Sequence, residues 1–385
     1  MPTNQVIDIN IEKTFANIPV IDSSINYWFV RSQGGDYYVD YNINNYIGID
    51  YNEITLKMIK DSANNSEVLK AKIIETYSGT PREEEMSQPG KIAGQLLTFT
   101  NRIKENDIVI VPSESSQRLL VGVVTGKPRE LSLQDIKIQE ESIDYKHSGY
   151  QKRIPITWKG SFDRDKADTA LYKMIFSQHA ISNVNNYKSF INRAMFPVYI
   201  EDEELHITFN VTNKDNVNGR YLGQFMYFYT TLYENMFPGE SMEVKVNVQS
   251  PGPVENIAKN AVKGLFVFAV VATVLSIKHG GSVKVGSDLI GTIEITLPGI
   301  EKSQTDIEFK RGEILGKQIE NDEKQLKLYQ ESIDLAVKLR VPISELGIEL
   351  PEELVDDLQK EVDRQIKEQT SEDAHSDEQN NDSNG

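Results

Sequence analysis

The stretch Tyr27–Glu53, YWFVRSQGGDYYVDYNINNYIGIDYNE, holds eight aromatic side chains and the glycine pair Gly34-Gly35 within 27 residues. It begins as an aromatic strand, crosses a tyrosine-rich segment and ends in the apolar run Tyr46–Ile49. Aromatic faces beside a flexible turn suit a planar ligand, because a nucleobase gains roughly 1–3 kcal/mol from each stacking contact. The same side chains would also fill the core of a small β-barrel, so this stretch alone leaves both interpretations open.

Two later stretches predict further strands. Ile103–Thr125, IKENDIVIVPSESSQRLLVGVVT, alternates apolar and polar residues on either side of a turn at Pro112-Ser113. Arg153–Phe162, RIPITWKGSF, reads as another strand and carries Trp158. The first half of the chain is therefore expected to form a β-rich domain.

In this order and spacing, these stretches resemble the PUA-like reader domain, related to EVE and YTH domains, at the N-terminus of many bacterial restriction-system (Mrr-like) proteins. The resemblance covers roughly residues 25–195 and implies a PUA-like β-barrel. In that family an aromatic strand with an arginine leads to a glycine pair, and three further strand motifs follow. The matching residues are Trp28-Phe29-Val30-Arg31, Gly34-Gly35, Gly48, Asp107–Pro112, Val121–Gly126 and Pro155–Trp158.

The resemblance also implies a pocket for one flipped or free base. Members of the family usually carry a tryptophan directly after the equivalent of Gly48-Ile49, whereas this chain has Asp50-Tyr51, whose tyrosine ring can still stack. The expected pocket has stacking walls and two polar contacts to the base edge or phosphate. The walls are Trp28, Tyr37, Tyr38, Tyr51 and Trp158, and the polar contacts are Arg31 and Ser113.

Composition narrows the chemistry of the chain. The 385 residues include no cysteine, which excludes disulfides, a thiol nucleophile and a cysteine-based zinc site. The five histidines are scattered without the spacing of metal ligands, so neither a metal nor another cofactor is expected. The first residues lack a basic and an apolar region of the signal-peptide kind, which favours a cytoplasmic location.

Charge is distributed unevenly along the chain. Residues 1–200 hold 23 Lys and Arg against 24 Asp and Glu, whereas residues 201–385 hold 18 against 34. Because each neutralised phosphate needs a nearby cation, nucleic-acid contacts are expected in the first half. The cations that a fold could gather into a groove are Arg31, Arg102, Lys104, Arg118, Arg153 and Lys159.

The predicted architecture is α+β with two domains. Within the second domain, His206–Val211 is expected to be a strand and a helix to begin at Asn218; Gly312–Leu339 has the pattern of a long amphipathic helix. The expected divisions are an N-terminal extension (1–24), the reader domain (25–196), an α+β domain (197–300) containing an apolar helix over 254–277, a helical segment (301–367), and a disordered acidic tail (368–385).

The most apolar run of the chain is Gly264–Ile277, GLFVFAVVATVLSI, with 14 uncharged residues. A spanning helix needs about 20 apolar residues, so a buried helix or an oligomer interface is one interpretation. Membrane contact is the other, because Lys263 and Lys278 could extend to opposite interfaces and support a short span. On this second interpretation the protein would associate with the inner membrane.

No catalytic motif is convincing, so the chain reads more as a non-enzyme, although an enzyme stays open. A Mg²⁺-dependent nuclease of the PD-(D/E)xK type needs an acidic residue, then acid-x-Lys on a buried strand. Glu308-Phe309-Lys310 and Glu243-Val244-Lys245 have the second spacing, but both also fit solvated segments.

We therefore expect a bacterial sensor of the restriction or phage-defence kind. It would recognise a modified base in nucleic acid, or a free nucleotide, and signal through an oligomerising second domain as a homo-oligomer. The first alternative is a membrane-disrupting effector gated by a nucleotide signal, acting through Gly264–Ile277. The second alternative is a divergent Mg²⁺-dependent restriction nuclease.

Overall fold

A computed structural model describes residues 6–140, 145–177, 179–248, 251–276, 281–297, 308–314, 317–318 and 323–382 of this mixed α+β protein. The chain divides into two compact units. We call Ser24–Met195 the aromatic unit, and Met1–Ser23 together with Phe196–Gly385 the acidic unit. The aromatic unit contains 22 Lys and Arg against 21 Asp and Glu, and the acidic unit contains 19 against 37.

The strands follow one another along the described chain as β1 (Val6–Asn10), β2 (Val20–Ile21), β3 (Tyr27–Val30), β4 (Tyr46–Ile49), β5 (Ile108–Pro112), β6 (Arg118–Val124), β7 (Arg129–Glu130), β8 (Lys152–Asp163), β9 (Ile181–Asn183), β10 (Val198–Glu201), β11 (Glu204–Val211), β12 (Met242–Val246), β13 (Gly252–Ala258), β14 (Gly281–Ser287), β15 (Gly291–Leu297), β16 (Glu308–Ile314), β17 (Lys317–Gln318) and β18 (Ile348–Glu349).

The α-helices are α1 (Ile11–Thr14), α2 (Tyr38–Asn44), α3 (Leu56–Asp61), α4 (Ser66–Tyr77), α5 (Pro89–Leu97), α6 (Leu133–Glu140), α7 (Leu171–Ile175), α8 (Lys188–Met195), α9 (Gly219–Met236), α10 (Ala261–Ser276), α11 (Glu323–Lys338), α12 (Arg340–Leu346) and α13 (Glu352–Asp382).

The aromatic unit is built on one curled, half-barrel sheet in the order β4-β8-β6-β5-β3-β9, with β7 added beside β8. Strands β3 and β5 run parallel, and the other neighbours are antiparallel. The long strand β8 pairs with β4 at one end and with β6 along the rest, where Lys159 forms a bulge opposite Val121-Gly122. Because a bulge bends its strand, this residue helps to curl the sheet.

Both faces of this sheet are buried, which explains the continuous apolar sequence of β3. Trp28 and Val30 point into a core shared with helices α2 to α5. Tyr27 and Phe29 point to the opposite face and pack against helices α7 and α8. The alternation of a strand therefore divides the aromatic side chains of Tyr27–Val30 between two separate cores.

One row across the sheet explains the need for a glycine at position 122. Trp28 on β3 lies opposite Val109, which lies opposite Gly122, which lies opposite Trp158 on β8. A Cβ atom at Gly122 would lie 2.5 Å from both Trp158 Cε3 and Ile156 Cγ2. The ring of Trp158 therefore occupies the space that any larger residue at 122 would need.

The acidic unit contains two sheets. One has the order β1-β14-β15-β16-β17, and the other has the order β12-β13-β11-β10-β2, with β18 paired to β11. Strand β11 contains the predicted strand His206–Val211, and the predicted helix start at Asn218 is confirmed. The Asn218 side chain accepts a hydrogen bond from the Arg220 N–H at 3.0 Å and so caps α9.

Helix α10 lies at the centre of the acidic unit's core. All residues from Gly264 to Val274 are buried, and the rings of Phe266 and Phe268 meet Phe237 and Phe15 edge-on, at 6.1 Å and 6.3 Å. A Cβ atom at Gly264 would lie 2.7 Å from Leu205 Cδ2, so the missing side chain lets α10 approach β11. The apolar run is covered by side chains of its own unit.

The predicted single apolar helix over residues 254–277 is not confirmed. Strand β13 takes up its first residues, and the helix begins only at Ala261. Across the ranges that the structure describes, no helix has the length and apolar character that crossing a bilayer requires.

Three other divisions of the chain differ from the sequence predictions. Residues 6–10 are not part of an extension, because β1 pairs in parallel with β14. The long amphipathic helix is shorter than expected, because residues 312–314 belong to β16 and α11 begins only at Glu323. The predicted helical segment 301–367 therefore contains strands as well as helices. The tail is helical rather than disordered as far as Asp382, and residues 383–385 lie outside the described residues.

Helix α13 is held against the free edge of β1 by two side-chain amides. Gln365 Oε1 accepts the Asp8 N–H at 2.7 Å, and Gln365 Nε2 donates to the Asp8 carbonyl. Gln369 Nε2 donates to the Val6 carbonyl at 2.7 Å. Four helical residues rise about 6 Å and two strand residues about 6.6 Å, so the two glutamines match successive edge-facing residues. This contact joins residues 365–369 of α13 to the edge of β1.

Substituting Gly122 by valine is expected to destabilise the aromatic unit by about 1–3 kcal/mol, because the new side chain would displace Trp158 and Ile156 from a packed core. Thermal and denaturant unfolding would measure the loss. Gly94→Ala is the matched control, since a Cβ atom there meets nothing within 4 Å and alanine favours helix. Equal stability of Gly122→Val and the wild type would contradict the packing described for Trp158.

Substituting Gln365 by alanine is expected to speed hydrogen exchange at the Asp8 amide roughly fivefold, the equivalent of one lost hydrogen bond of ~1 kcal/mol. The Ile9 amide, which faces β14, should keep its protection. Residue-resolved exchange by NMR would measure both rates. Gln359→Ala serves as the control, because Gln359 bonds only to Asp363 of its own helix at 2.8 Å among the described residues. An unchanged Asp8 rate would show that α13 does not hold this edge.

Candidate nucleotide-binding cleft

A polar cleft of about 730 Å³ opens in the aromatic unit, and we call it the Trp28 cleft. Its walls come from the ends of β3 and β9, the last turn of α5 and the segment that follows α5. Most of its lining side chains are carboxamides, hydroxyls or potential cations. The lining residues are Asn26, Trp28, Gln95, Thr98, Asn101, Arg102, Lys104, His179, Ile181, Ser182 and Asn183.

The buried carboxylate of Asp107 organises one wall of the cleft. Its Oδ2 accepts the Trp28 indole N–H at 2.7 Å and the Lys104 backbone N–H at 3.0 Å. Its Oδ1 accepts the Asn26 backbone N–H at 3.0 Å. Asp107 is 3% exposed, so these donors stabilise its carboxylate in place of water. The same carboxylate holds three lining residues, Asn26, Trp28 and Lys104.

A π-helical turn forms the opposite wall. Helix α5 does not end in an α-helical turn but continues through Thr98–Arg102, where the Ile103 N–H donates to the Thr98 carbonyl five residues back at 3.2 Å. Such turns hold one residue more than an α-helical turn, are rare, and often occur at functional sites. Here the turn carries three of the lining residues, Thr98, Asn101 and Arg102.

Three side chains around the cleft can carry positive charge. Arg102 and Lys104 are exposed at the end of the π-helical turn, and His179 is exposed just before β9. Among the residues that the structure describes, no carboxylate pairs with Arg102 or Lys104. Unpaired cations at the rim of a cleft attract anionic ligands such as phosphates.

The seven residues predicted from the sequence do not assemble into one pocket. Only Trp28 lines the Trp28 cleft, and its indole is 5% exposed, so it offers part of a ring and not a full stacking face. Arg31 lies elsewhere: its Nε donates to the Ser177 carbonyl at 2.7 Å and its guanidinium also bonds the Ile175 carbonyl. Arg31 therefore secures the chain after α7.

Tyr37 and Tyr51 belong to a second group, the tyrosine cluster of Tyr37, Tyr41, Tyr46, Tyr51, Tyr77 and Tyr150. The rings of Tyr37 and Tyr150 meet edge-on at 5.3 Å, and those of Tyr51 and Tyr77 at 6.5 Å. Burial raises the pKa of Tyr51 and Tyr150, so these phenols stay neutral. The cluster is a packed structural element and its rings already have aromatic neighbours.

The other three predicted residues have structural contacts. Trp158 Nε1 donates to the Tyr41 carbonyl at 2.9 Å, and its ring fills the core beside Gly122. Burial raises the pKa of the Tyr38 phenol. Ser113 Oγ accepts the Arg118 N–H at 2.9 Å and thereby shapes the turn between β5 and β6. None of these three side chains lines the Trp28 cleft.

Arg102 and Lys104, two of the groove cations predicted from the sequence, both line the Trp28 cleft. The carboxamides, above all Gln95 and Asn183, and the imidazole of His179 were not predicted. One signal was available for Gln95: it is the one polar side chain within the stretch Ile92–Leu97, IAGQLL. Nothing in the sequence indicated that β9 would bring Asn183 beside it.

A buried lysine lies beneath the tyrosine cluster. Lys152 is fully buried, and its Nζ donates to the Tyr51 carbonyl at 2.6 Å. Tyr51 has a φ of 69°, an unfavourable conformation for an aromatic residue, which this bond helps to hold. Burial lowers the pKa of Lys152 to about 8 from its ordinary value near 10.5.

This shift predicts that stability rises with pH. Between about pH 8 and 10.5 the unfolded chain binds a proton at Lys152 that the folded chain has released. The free energy of unfolding should therefore rise by about 1.4 kcal/mol per pH unit there, before tyrosine ionisation opposes it above pH 10. Chemical denaturation at pH 7 to 9.5 would measure the slope. Lys152→Met should flatten it and the exposed Lys91→Met should not; identical slopes would contradict the prediction.

In the described ranges no three His, Cys, Asp or Glu side chains lie close enough together to hold a metal ion. Glu243, one of the two acidic residues of the nuclease alternative, is exposed and pairs with Lys259 at 2.9 Å; the side chain of Glu308 lies outside the described residues.

Comparison of the chain with protein-family models, with curated proteins and with solved structures found no match.

Proposed function

We propose that the aromatic unit binds a nucleobase in the Trp28 cleft, either within nucleic acid or as a free nucleotide. The observation that carries this proposal is the combination, in one cleft, of an indole, two unpaired cations and several carboxamides. Its volume of about 730 Å³ is within the usual range for small-ligand sites of ~300–1,000 Å³. Cations supply phosphate contacts, and carboxamides supply hydrogen bonds to a base edge.

Three side chains of the cleft have distinct parts in this proposal. Arg102 can bind two oxygens of one phosphate, because its guanidinium is a planar fork. Lys104 acts as a second point charge whose backbone is fixed by Asp107. Trp28 supplies apolar ring surface at the bottom of the cleft, so most of the recognition comes from hydrogen bonds and not from stacking between two rings.

A base within a duplex would have to leave the stack to reach the carboxamides. That step costs a few kcal/mol and is easiest for a damaged, modified or single-stranded base. We therefore propose single-stranded nucleic acid, or a duplex with a modified base, as the nucleic-acid ligand. The near-neutral charge of the aromatic unit supports selective binding more than general binding.

A PUA-like fold is part of this proposal. It is supported by the curled half-barrel sheet and by strands β3, β5, β6 and β8, which carry the ordered motifs of the resemblance. The wider role rests on the same resemblance: a cytoplasmic sensor of restriction or phage defence whose acidic unit reports binding by forming homo-oligomers. The acidic unit contains 19 cations against 37 anions and would repel phosphates. This charge supports the proposal that phosphates bind to the aromatic unit.

No observation in the structure favours either alternative function. The apolar run of the membrane alternative is buried within the core of the acidic unit. Glu243 of the nuclease alternative forms an ion pair with Lys259, which also pairs with Glu204, and among the described residues no group of three potential metal ligands forms there.

The double substitution Arg102→Ala, Lys104→Ala tests the proposal. We expect binding of a fluorescent single-stranded oligonucleotide to weaken at least about tenfold at physiological salt, because two phosphate contacts are lost. The slope of log affinity against log salt should fall by about 1 for each lost cation. Fluorescence anisotropy with the full chain, across a salt series, would measure both quantities.

Lys57→Ala, Lys127→Ala is the matched control, because both lysines are exposed in the same unit and neither lines the cleft. The cleft variant should unfold at the wild-type temperature, since its two side chains are exposed. Equal loss of binding in both double variants would point to general electrostatic attraction. Wild-type binding by the cleft variant would refute the site. Trp28→Ala is a poorer test, because truncating this buried ring would cost about 3–5 kcal/mol of stability.

A further inference from the structure

The orientation of two carboxamides decides what the Trp28 cleft can recognise. Gln95 Oε1 accepts the backbone N–H of Ile181 at 2.6 Å. A backbone N–H can only donate, so the oxygen of Gln95 must face it and the NH₂ group must take the other position. No described residue bonds to that NH₂ group. Gln95 lines the cleft, so its free polar group is a hydrogen-bond donor.

Asn183 is oriented in the same way. Its Oδ1 accepts the backbone N–H of Asn185 at 3.1 Å, which leaves its NH₂ group as the remaining polar atom. The described residues provide no acceptor for this second NH₂ group either. Strand β9 begins at Ile181 and ends at Asn183, so one short strand both orients Gln95 and carries the second carboxamide.

The rim adds donors of the same polarity. Arg102 and a protonated Lys104 have only N–H donors and no acceptor. A ligand that brought amino groups to these four side chains would set donors against donors, most unfavourably at the half-buried Gln95. Asn101, a further lining carboxamide, has the opposite orientation: its Nδ2 donates to Asn64 Oδ1 at 3.2 Å, which leaves its oxygen as an acceptor. At Gln95, Asn183, Arg102 and Lys104 the cleft therefore favours ligand atoms that accept hydrogen bonds.

From this geometry, and resting on the proposed function, we infer that the Trp28 cleft selects bases that carry ring carbonyls over bases that carry amino groups at the same positions. Gln95 is the specificity-determining residue. Uracil and hypoxanthine differ from cytosine and adenine by a carbonyl oxygen in place of an amino group, and the neighbouring ring nitrogen changes from an acceptor to an N–H donor. Deaminated bases in single strands therefore belong to the ligand class that this cleft fits.

The choice of Gln95 as the principal reader follows from its position. It lies on α5, one turn before the π-helical turn that carries Arg102, whereas Asn183 lies at the exposed end of β9. Gln95 is half-buried, so an unmatched NH₂ group there would be less able to find water. A helix also holds a recognition side chain more firmly than the end of a short strand does.

The test uses the full chain and short single-stranded homopolymers of uridine, cytidine, inosine and adenosine, with binding measured by competition anisotropy. The wild type should prefer oligouridine over oligocytidine, and oligoinosine over oligoadenosine, by about tenfold, as expected for one well-placed hydrogen-bond contact. Gln95→Glu keeps one oxygen on the Ile181 N–H but presents an acceptor in place of the NH₂ group. It should abolish or reverse the preference within both pairs.

Ratios within each pair are compared, because the added negative charge would weaken binding of every phosphate ligand. Gln95→Met, which keeps the length of the side chain without either polar group, should bind both members of each pair equally. Equal wild-type binding within both pairs, or an unchanged ratio in Gln95→Glu, would overturn the inference while the proposed function stands. Failure of all four homopolymers, and of the four corresponding free nucleotides, to bind the wild type would overturn the proposed function with it.

Discussion

The Trp28 cleft depends on the buried charge of Asp107. A carboxylate that is 3% exposed is costly unless donors surround it, and here Asn26, Trp28 and Lys104 supply them. These donors come from the start of β3 and from the exit of the π-helical turn. Satisfying one carboxylate therefore fixes the indole, a rim lysine and a carboxamide residue at the same time. The cleft is shaped before any ligand arrives, which lowers the entropy that binding would otherwise cost.

Strand β8 determines how the aromatic residues are divided. It pairs with β6 over most of its length and with β4 at its start, so it bends the sheet toward the tyrosine cluster. Trp158 faces the same core as Trp28 but lies three strands away, with Val109 and Gly122 between them. Neighbouring strands are about 4.8 Å apart, so the two tryptophans cannot sandwich one base. The abundance of aromatics in the sequence reflects core packing more than stacking walls.

The sequence was informative where a pattern is local. The short apolar runs on either side of Pro112-Ser113 correctly indicated β5 and β6, because such runs bounded by turn residues are typical of buried strands. The pairing of β1 with β14 could not be inferred, since it joins residues more than 270 positions apart without any local signal. The first half of α13 was predicted as part of the helical segment 301–367, whereas its acidic continuation to Asp382 was not. The contact of Gln365 and Gln369 with the edge of β1 has no local signal either. For the cleft, Trp28 was predicted, whereas the Gln95–Ile181 contact required the fold.

Orientation, more than composition, gives the cleft its selectivity. A glutamine in water can offer either its oxygen or its NH₂ group, so carboxamides alone do not distinguish a carbonyl from an amino group. In this fold the backbone of β9 occupies the oxygen of Gln95, and the backbone N–H of Asn185 occupies the oxygen of Asn183. Both side chains are thereby restricted to donating. Ile181 belongs to β9, which pairs with β3, so the donor polarity of Gln95 follows from the sheet itself.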